Sequence, residues 1–184
     1  MSEASVFDEL PGDLMMWVLI VSELLVFGAG LAAFLAVRIT DPTGFAIAQD
    51  HLQRTAAGIN TVVLVTSGFL AALAVKSAAA GLVTRARLLL TGAGLLGLVF
   101  LAIKWREYSS EMAKGIDVDT HPFFMFYFLL TGFHAAHVVA GIVIFGLVGW
   151  RVRARTVEVG VAFWHMVDLV WVLLFPVIYL LRPA

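Results

Sequence analysis

The sequence predicts an all-α, polytopic membrane bundle of about five transmembrane helices. Three observations carry that prediction. Of 184 residues, 61% are hydrophobic and only 14% charged, and the mean hydropathy of +0.98 is that of a chain whose solvent is lipid rather than water. The apolar residues fall into long runs interrupted by short polar stretches. At roughly 20 residues per span, the length holds about five spans and leaves no room for a separate soluble domain. Residues 1–184 are therefore read as a single transmembrane domain.

Helices are expected at residues 14–37, 56–75, 88–104, 122–150 and 159–181, stretches free of Asp, Glu, Lys and Arg except for Glu23, Asp168 and the terminal Lys104. The first opens after an N-terminus containing Glu3, Asp8 and Glu9 but no Lys or Arg. It lacks the basic region of a cleavable leader, so it is expected to be retained as a helix. The third is short; Arg87 and Lys104 are expected to lengthen it by extending their stems toward the headgroups. Trp105 and Trp150 stand at run ends, where interfacial aromatics belong.

The stretches at 38–55, with Asp41, Pro42 and Gly44, and at 105–121, with Glu107, Glu111, Lys114, Asp117 and Asp119, read as polar loops. The other two connections are tight and basic, carrying Lys76, Arg85 and Arg87, and Arg151, Arg153 and Arg155. With five spans both basic loops share the side of the N-terminus, which the positive-inside rule makes cytoplasmic. Counted over all 12 Lys and Arg, including Arg182, the two sides come out equal, so the orientation rests on the short loops. Small residues recur four apart at Gly28 and Ala32, at Ala93 and Gly97, and at Gly132, Ala136 and Ala140, the spacing that lets membrane helices approach closely.

Composition also narrows the function. A net charge of -1 offers no basic stripe for nucleic acid. With no cysteine there is no disulfide, thiolate metal site or iron–sulfur cluster.

Five ionisable groups fall inside the runs: Glu23, His134, His137, His165 and Asp168. A helical rise of about 1.5 Å per residue puts them in one layer, roughly 7–14 Å from the N-terminal face. His134 and His137, like His165 and Asp168, are three apart and share a helix face. Three readings compete: a hydrogen-bonded cluster that fixes helix register, a metal or haem site, and a contact for a lipid headgroup or partner subunit. Against the second, the Glu-x-x-His repeat of di-iron bundles is missing, and His51 and His121 lie in loops.

The run PFFMFYFLLTGFHAAHVVAGIV at 122–143 and the segment AFWHMVDLVWVLLFPVIYL at 162–180, containing Trp164, resemble the two most characteristic helices of cytochrome c oxidase subunit III. Supporting matches are Asn60 and Thr61 followed by LVTSG, Ser22 with Glu23, and Glu107 with Tyr108. The chain is short for that family and is similar to its five-helix forms. The opening LPGDLMMWVLIVSELLVFG resembles the accessory branch associated with bacterial nitric oxide reductases.

The resemblance implies a non-catalytic component of a respiratory oxidase or nitric oxide reductase in a bacterial inner membrane. Such a component has no cofactor of its own; haem and copper sit in its catalytic partner, and phospholipid is bound. It further implies that Glu23 is the family's intramembrane carboxylate near lipid, and that His134, His137, His165 and Asp168 are its polar positions, with Asn60, Glu107 and Trp164 secondary. Two rivals stay open. One is a b-haem redox carrier using His134 and His165. The other is a proton-coupled transporter using Glu23 and Asp168, for which the chain shows no inverted repeat.

Overall fold

The computed structural model describes residues 14–181, and among these all regular structure is helical. Glu3, Asp8, Glu9, the first four residues of the LPGD opening and Arg182 lie outside the described residues. The helices are α1 (Leu14–Thr40), α2 (Pro42–Asp50), α3 (Arg54–Ala79), α4 (Val83–Ala113), α5 (Pro122–Trp150) and α6 (Ala154–Phe175), the last continued by a π-helical turn, Pro176–Leu180. All but α2 are long and apolar enough to cross a membrane.

Three differences from the sequence reading have local causes. The stretch 38–55 contains a helix, because Asp41 caps it by accepting the Gly44 N–H at 2.9 Å and Pro42 occupies its first turn. It packs on α1 and α5 with Phe45 and Ala48 buried and Ile47 exposed. The helix predicted at 88–104 runs from 83 to 113. Its charges Lys104, Glu107 and Glu111 are spaced three and four apart and face inward together, so they do not end it. Lys104 accordingly does not reach for the headgroups; it is buried. Trp105 and Trp150 are exposed at 74% and 79%; Trp150 closes α5 as expected, whereas Trp105 lies inside α4 rather than at its end.

Two helices stop by the same device. Gly81 and Gly115 adopt φ of 73° and 76°, which a side chain resists. The following N–H groups fold back, Leu82 to the Ser77 carbonyl at 2.9 Å and Ile116 to the Glu111 carbonyl at 3.1 Å. At the other end of the chain Pro176 has no N–H to continue the α ladder, and the last turn widens until the Leu181 N–H reaches the Pro176 carbonyl at 2.9 Å.

Helix α6 is the axis of the packing: α1, α3 and α5 all lie against it, while α4 closes the ring between α3 and α5. Its Trp164 and Trp171 are fully buried. Trp164 fits because α4 and α5 present glycines to it; a Cβ at Gly97 would come within 2.7 Å of the indole, and one at Gly141 would also collide with it. Of the small-residue pairs, Ala93 and Gly97 do sit in the packed interior, whereas Gly28 faces open space and Ala32, Ala136 and Ala140 are exposed.

Candidate functional site

The five intramembrane groups do not form one cluster. Measured from the observed helix ends they span about two turns, with Glu23 roughly 14 Å and His134 roughly 24 Å from the N-terminal face. The single layer does not hold because α5 runs on to Trp150, well past His134, and α6 begins at Ala154, before the apolar run that opens at 159. The helices resolve the five into three separate arrangements.

Glu23 on α1 meets His137 on α5, with Oε2 3.2 Å from Nε2. The approach is oblique, and Oε2 has no properly aligned donor. The other ring nitrogen, Nδ1, lies 2.9 Å from the Phe133 carbonyl. A carbonyl can only accept, so Nδ1 carries a proton, and any hydrogen bond between Nε2 and the carboxyl group requires one further proton held between them.

His165 and Asp168 form the second arrangement, Nδ1 to Oδ2 3.6 Å, longer than a direct hydrogen bond. Asp168 is packed over Gly68 of α3, where a Cβ would strike the carboxylate, and its Oδ1 has no partner among the described residues. His165 is different in kind: its side chain is 47% exposed on the outer surface of the bundle.

His134 is fully buried and both its ring nitrogens are unpaired among the described residues. It is enclosed by Phe100, Trp171 and Phe27, at centroid distances of 5.4, 5.2 and 6.4 Å. No open side is left for a porphyrin, and His165 faces Asp168 and the bundle surface instead. Among the described residues no three His, Asp or Glu side chains come together as metal ligands. The haem-carrier reading has nothing in this geometry to support it.

The densest polar site was missed by sequence reasoning except for Glu107. Lys104 donates to Glu107 Oε2 at 2.9 Å and to the hydroxyls of Tyr179 at 2.8 Å and Tyr127 at 3.3 Å. Tyr179 in turn donates to Glu107 at 3.0 Å. The ammonium also lies 4.8 and 4.7 Å from the ring centroids of Tyr108 and Tyr127, an attraction that strengthens when water is excluded. The network ties α4 to α5 and to the π turn. The available signal was Lys104, Glu107 and Glu111 on one face of a helix; nothing local to Tyr127 or Tyr179 announces their part.

A second unforeseen site closes the same end of the bundle. Arg38 donates to the Leu181 carbonyl at 2.6 Å and to Gln49 at 3.4 Å, and Gln49 donates to the Ile178 carbonyl at 3.0 Å. These side chains satisfy carbonyls that the end of a helix leaves free. Outside the spans, the Asp41 carboxyl is held below its usual range by the Gly44 N–H and then by His121, whose Nε2 lies 3.3 Å away. The Asp117 carboxyl is lowered by the Thr120 hydroxyl and the Asp119 N–H.

Asn60 and Trp164 serve packing. Asn60 donates to the Phe100 carbonyl at 3.3 Å, across α3 and α4. Ser67 does the same to Ala93 at 2.7 Å, and the Trp171 indole donates to Thr61 at 2.9 Å. Trp164 is clamped between Gly97 and Gly141, its indole nitrogen without a partner among the described residues.

The sequence matches the family model described as cytochrome c oxidase subunit III over residues 9–182. It is 31% identical over 176 residues to cytochrome c oxidase subunit 3 of Corynebacterium diphtheriae, covering 90% of this chain and 86% of that one. A probable cytochrome c oxidase subunit 3 of Mycobacterium tuberculosis is 29% identical over 169 residues, 88% and 83% of the two chains. A haem-copper oxidase subunit I+III of Aeropyrum pernix is 30% identical over 189 residues, 90% of this chain but only 22% of its own length. This chain thus spans about a fifth of the Aeropyrum protein and more than four-fifths of the other two.

Proposed function

Because this chain belongs to the cytochrome c oxidase subunit III family, we propose that it serves a bacterial haem-copper oxidase as its non-catalytic third subunit, packed in the membrane against the catalytic subunit. In this reading haem and copper belong to the partner, and this chain contributes packing, bound phospholipid and a fixed boundary around the partner's membrane helices. Its N-terminus lies on the cytoplasmic side, where the basic turns after α3 and α5 are placed.

The observation that carries the proposal is how the intramembrane polar groups are used. Lys104, Glu107, Tyr127 and Tyr179 saturate one another, Glu23 is turned to His137, and Asn60, Ser67 and Trp171 bind neighbouring helices. Such bonds hold a scaffold in register. They do not assemble a nucleophile, a base and an open substrate space, which a catalytic site needs. Nor does the geometry favour a transporter: Glu23 and Asp168 belong to separate arrangements.

The relatives described above are named as oxidase subunits, which supports the oxidase over the nitric oxide reductase as the partner's class. The test is purification from native membranes in mild detergent, followed by haem spectroscopy and mass spectrometry. Co-purification with a large haem-copper subunit, and a colourless chain once separated, is the expected result. A chain that retains haem by itself, or purifies without any such partner, overturns the proposal.

A further inference from the structure

His165 poses a problem in lipid. Eleven residues into α6, it lies roughly 17 Å below the start of its helix, near mid-membrane, yet its side chain is 47% exposed. Its Nε2 meets no partner among the described residues. A polar group at that depth is expected to face protein or water, because hydrocarbon offers nothing to satisfy it.

The surface around His165 is shaped to take a helix. Between α1 and α6 runs a groove of about 310 Å³, walled by Met16 and Ile20 on one side and floored by Glu158, Ala162, His165 and Leu169 on the other. The floor positions recur at intervals of four, three and four, the spacing of a helix-packing seam, and the small Ala162 at its centre lets a second backbone come close. The wall helix, α1, is also the least covered of the five spans. The seam has a polar signature: a carboxylate at its membrane-surface end, Glu158, and an imidazole about 10 Å deeper.

We propose that this groove receives a membrane-spanning helix of the catalytic subunit. That helix carries Lys or Arg at the interface opposite Glu158 and a hydrogen-bonding side chain about seven positions deeper, opposite His165 Nε2. The inference rests on the subunit III reading and names the face through which that association occurs. Glu158 and His165 set the register of the incoming helix; the apolar rim supplies its packing.

The chain contains no cysteine, so single cysteines bearing a photoactivatable benzophenone can be placed at will. Leu169→Cys on the groove is expected to crosslink to the catalytic subunit in the purified complex, whereas Leu95→Cys, exposed on the outer face of α4, gives background only. His165→Ala is expected to lower co-purified haem per chain about three- to tenfold, with His165→Gln recovering most of it. Ala162→Leu, which fills the seam without touching a hydrogen bond, tests the same surface should His165→Ala impair folding. Crosslinking from Leu95→Cys alone, equal crosslinking from both positions, or adducts to a second copy of this chain would overturn the docking face while leaving the subunit reading intact. Failure of the unaltered chain to bring down a haem-containing subunit would defeat both.

Discussion

Lys104 Nζ lies 2.9 Å from Glu107 Oε2 within the bundle, with each side chain only 3% exposed. The pair survives there because two tyrosine hydroxyls and the faces of four aromatic rings surround the ammonium. Removing one partner leaves a buried charge without its counter-ion, which costs about 3–5 kcal/mol, whereas removing both is often nearly neutral. Lys104→Met and Glu107→Leu separately are therefore expected to lower the thermal midpoint in detergent sharply. The double variant is expected to recover most of the loss, and a double variant no better than either single one would refute the coupling.

The Trp164 clamp makes a steric prediction. Gly97 and Gly141 leave no room for even a methyl group beside the indole, and forcing one in costs typically about 1–3 kcal/mol. Trp164→Ala empties the slot instead and costs about 3–5 kcal/mol. Gly141→Val should destabilise the protein on its own yet be partly tolerated together with Trp164→Phe, because the smaller ring opens the space. Independent, additive losses in thermal unfolding would show that the ring and the glycine do not meet.

Asp41 predicts a pH dependence at the α2 cap. Its carboxyl is held below the usual 3.8, first by the Gly44 N–H and then by His121, so the folded form favours the carboxylate. The stabilisation is complete above the unfolded value, and it is lost as pH falls from there through the lowered folded value. Protection of the Gly44 and Phe45 amides, taken as the exchange rate relative to the intrinsic rate at the same pH, should be unchanged between about pH 7 and 5 and should fall below about pH 4. Asp41→Ala should remove that step and raise exchange at every pH, and an acid-induced step that persists in the variant would assign it to another group.

What was legible in the sequence, and what was not, divides along a physical line. Runs without charge locate helices because lipid penalises exposed charge, and Trp150 does stand at the end of α5, whereas Trp105 lies within α4, which continues to Ala113. The rotation of one helix against another is not local information. The spacing of His134 and His137 puts them on one face, yet His134 points among aromatic rings and His137 toward Glu23. Lys104 misled because a lysine at the edge of an apolar run usually extends to the headgroups. Its partner Tyr179 stands 75 positions away, in a turn whose shape depends on Pro176. Arg38 and Gln49 fall in a stretch that reads as a loop for a related reason: the groups they satisfy are carbonyls of a distant helix end, 143 residues beyond Arg38 in the case of Leu181.

The Glu23 and His137 pair separates a structural role from an associative one. With Nδ1 committed to the Phe133 carbonyl, Nε2 is left facing Glu23 Oε2 at 3.2 Å. Glu23→Gln supplies an N–H that a neutral Nε2 can accept, so the α1 to α5 contact should persist and the thermal midpoint should move little. Glu23→Ala strands the imidazole and is expected to cost about 1–3 kcal/mol. If the carboxyl group also serves association with phospholipid or a partner, Glu23→Gln should reduce co-purified lipid or catalytic subunit although stability is kept. Lipid content, partner yield and thermal midpoint measured on the same preparations distinguish the roles. A Glu23→Gln protein unchanged in all three would confine Glu23 to packing α1 against α5, and one that loses stability as far as Glu23→Ala would show that the pair depends on charge rather than on one shared proton.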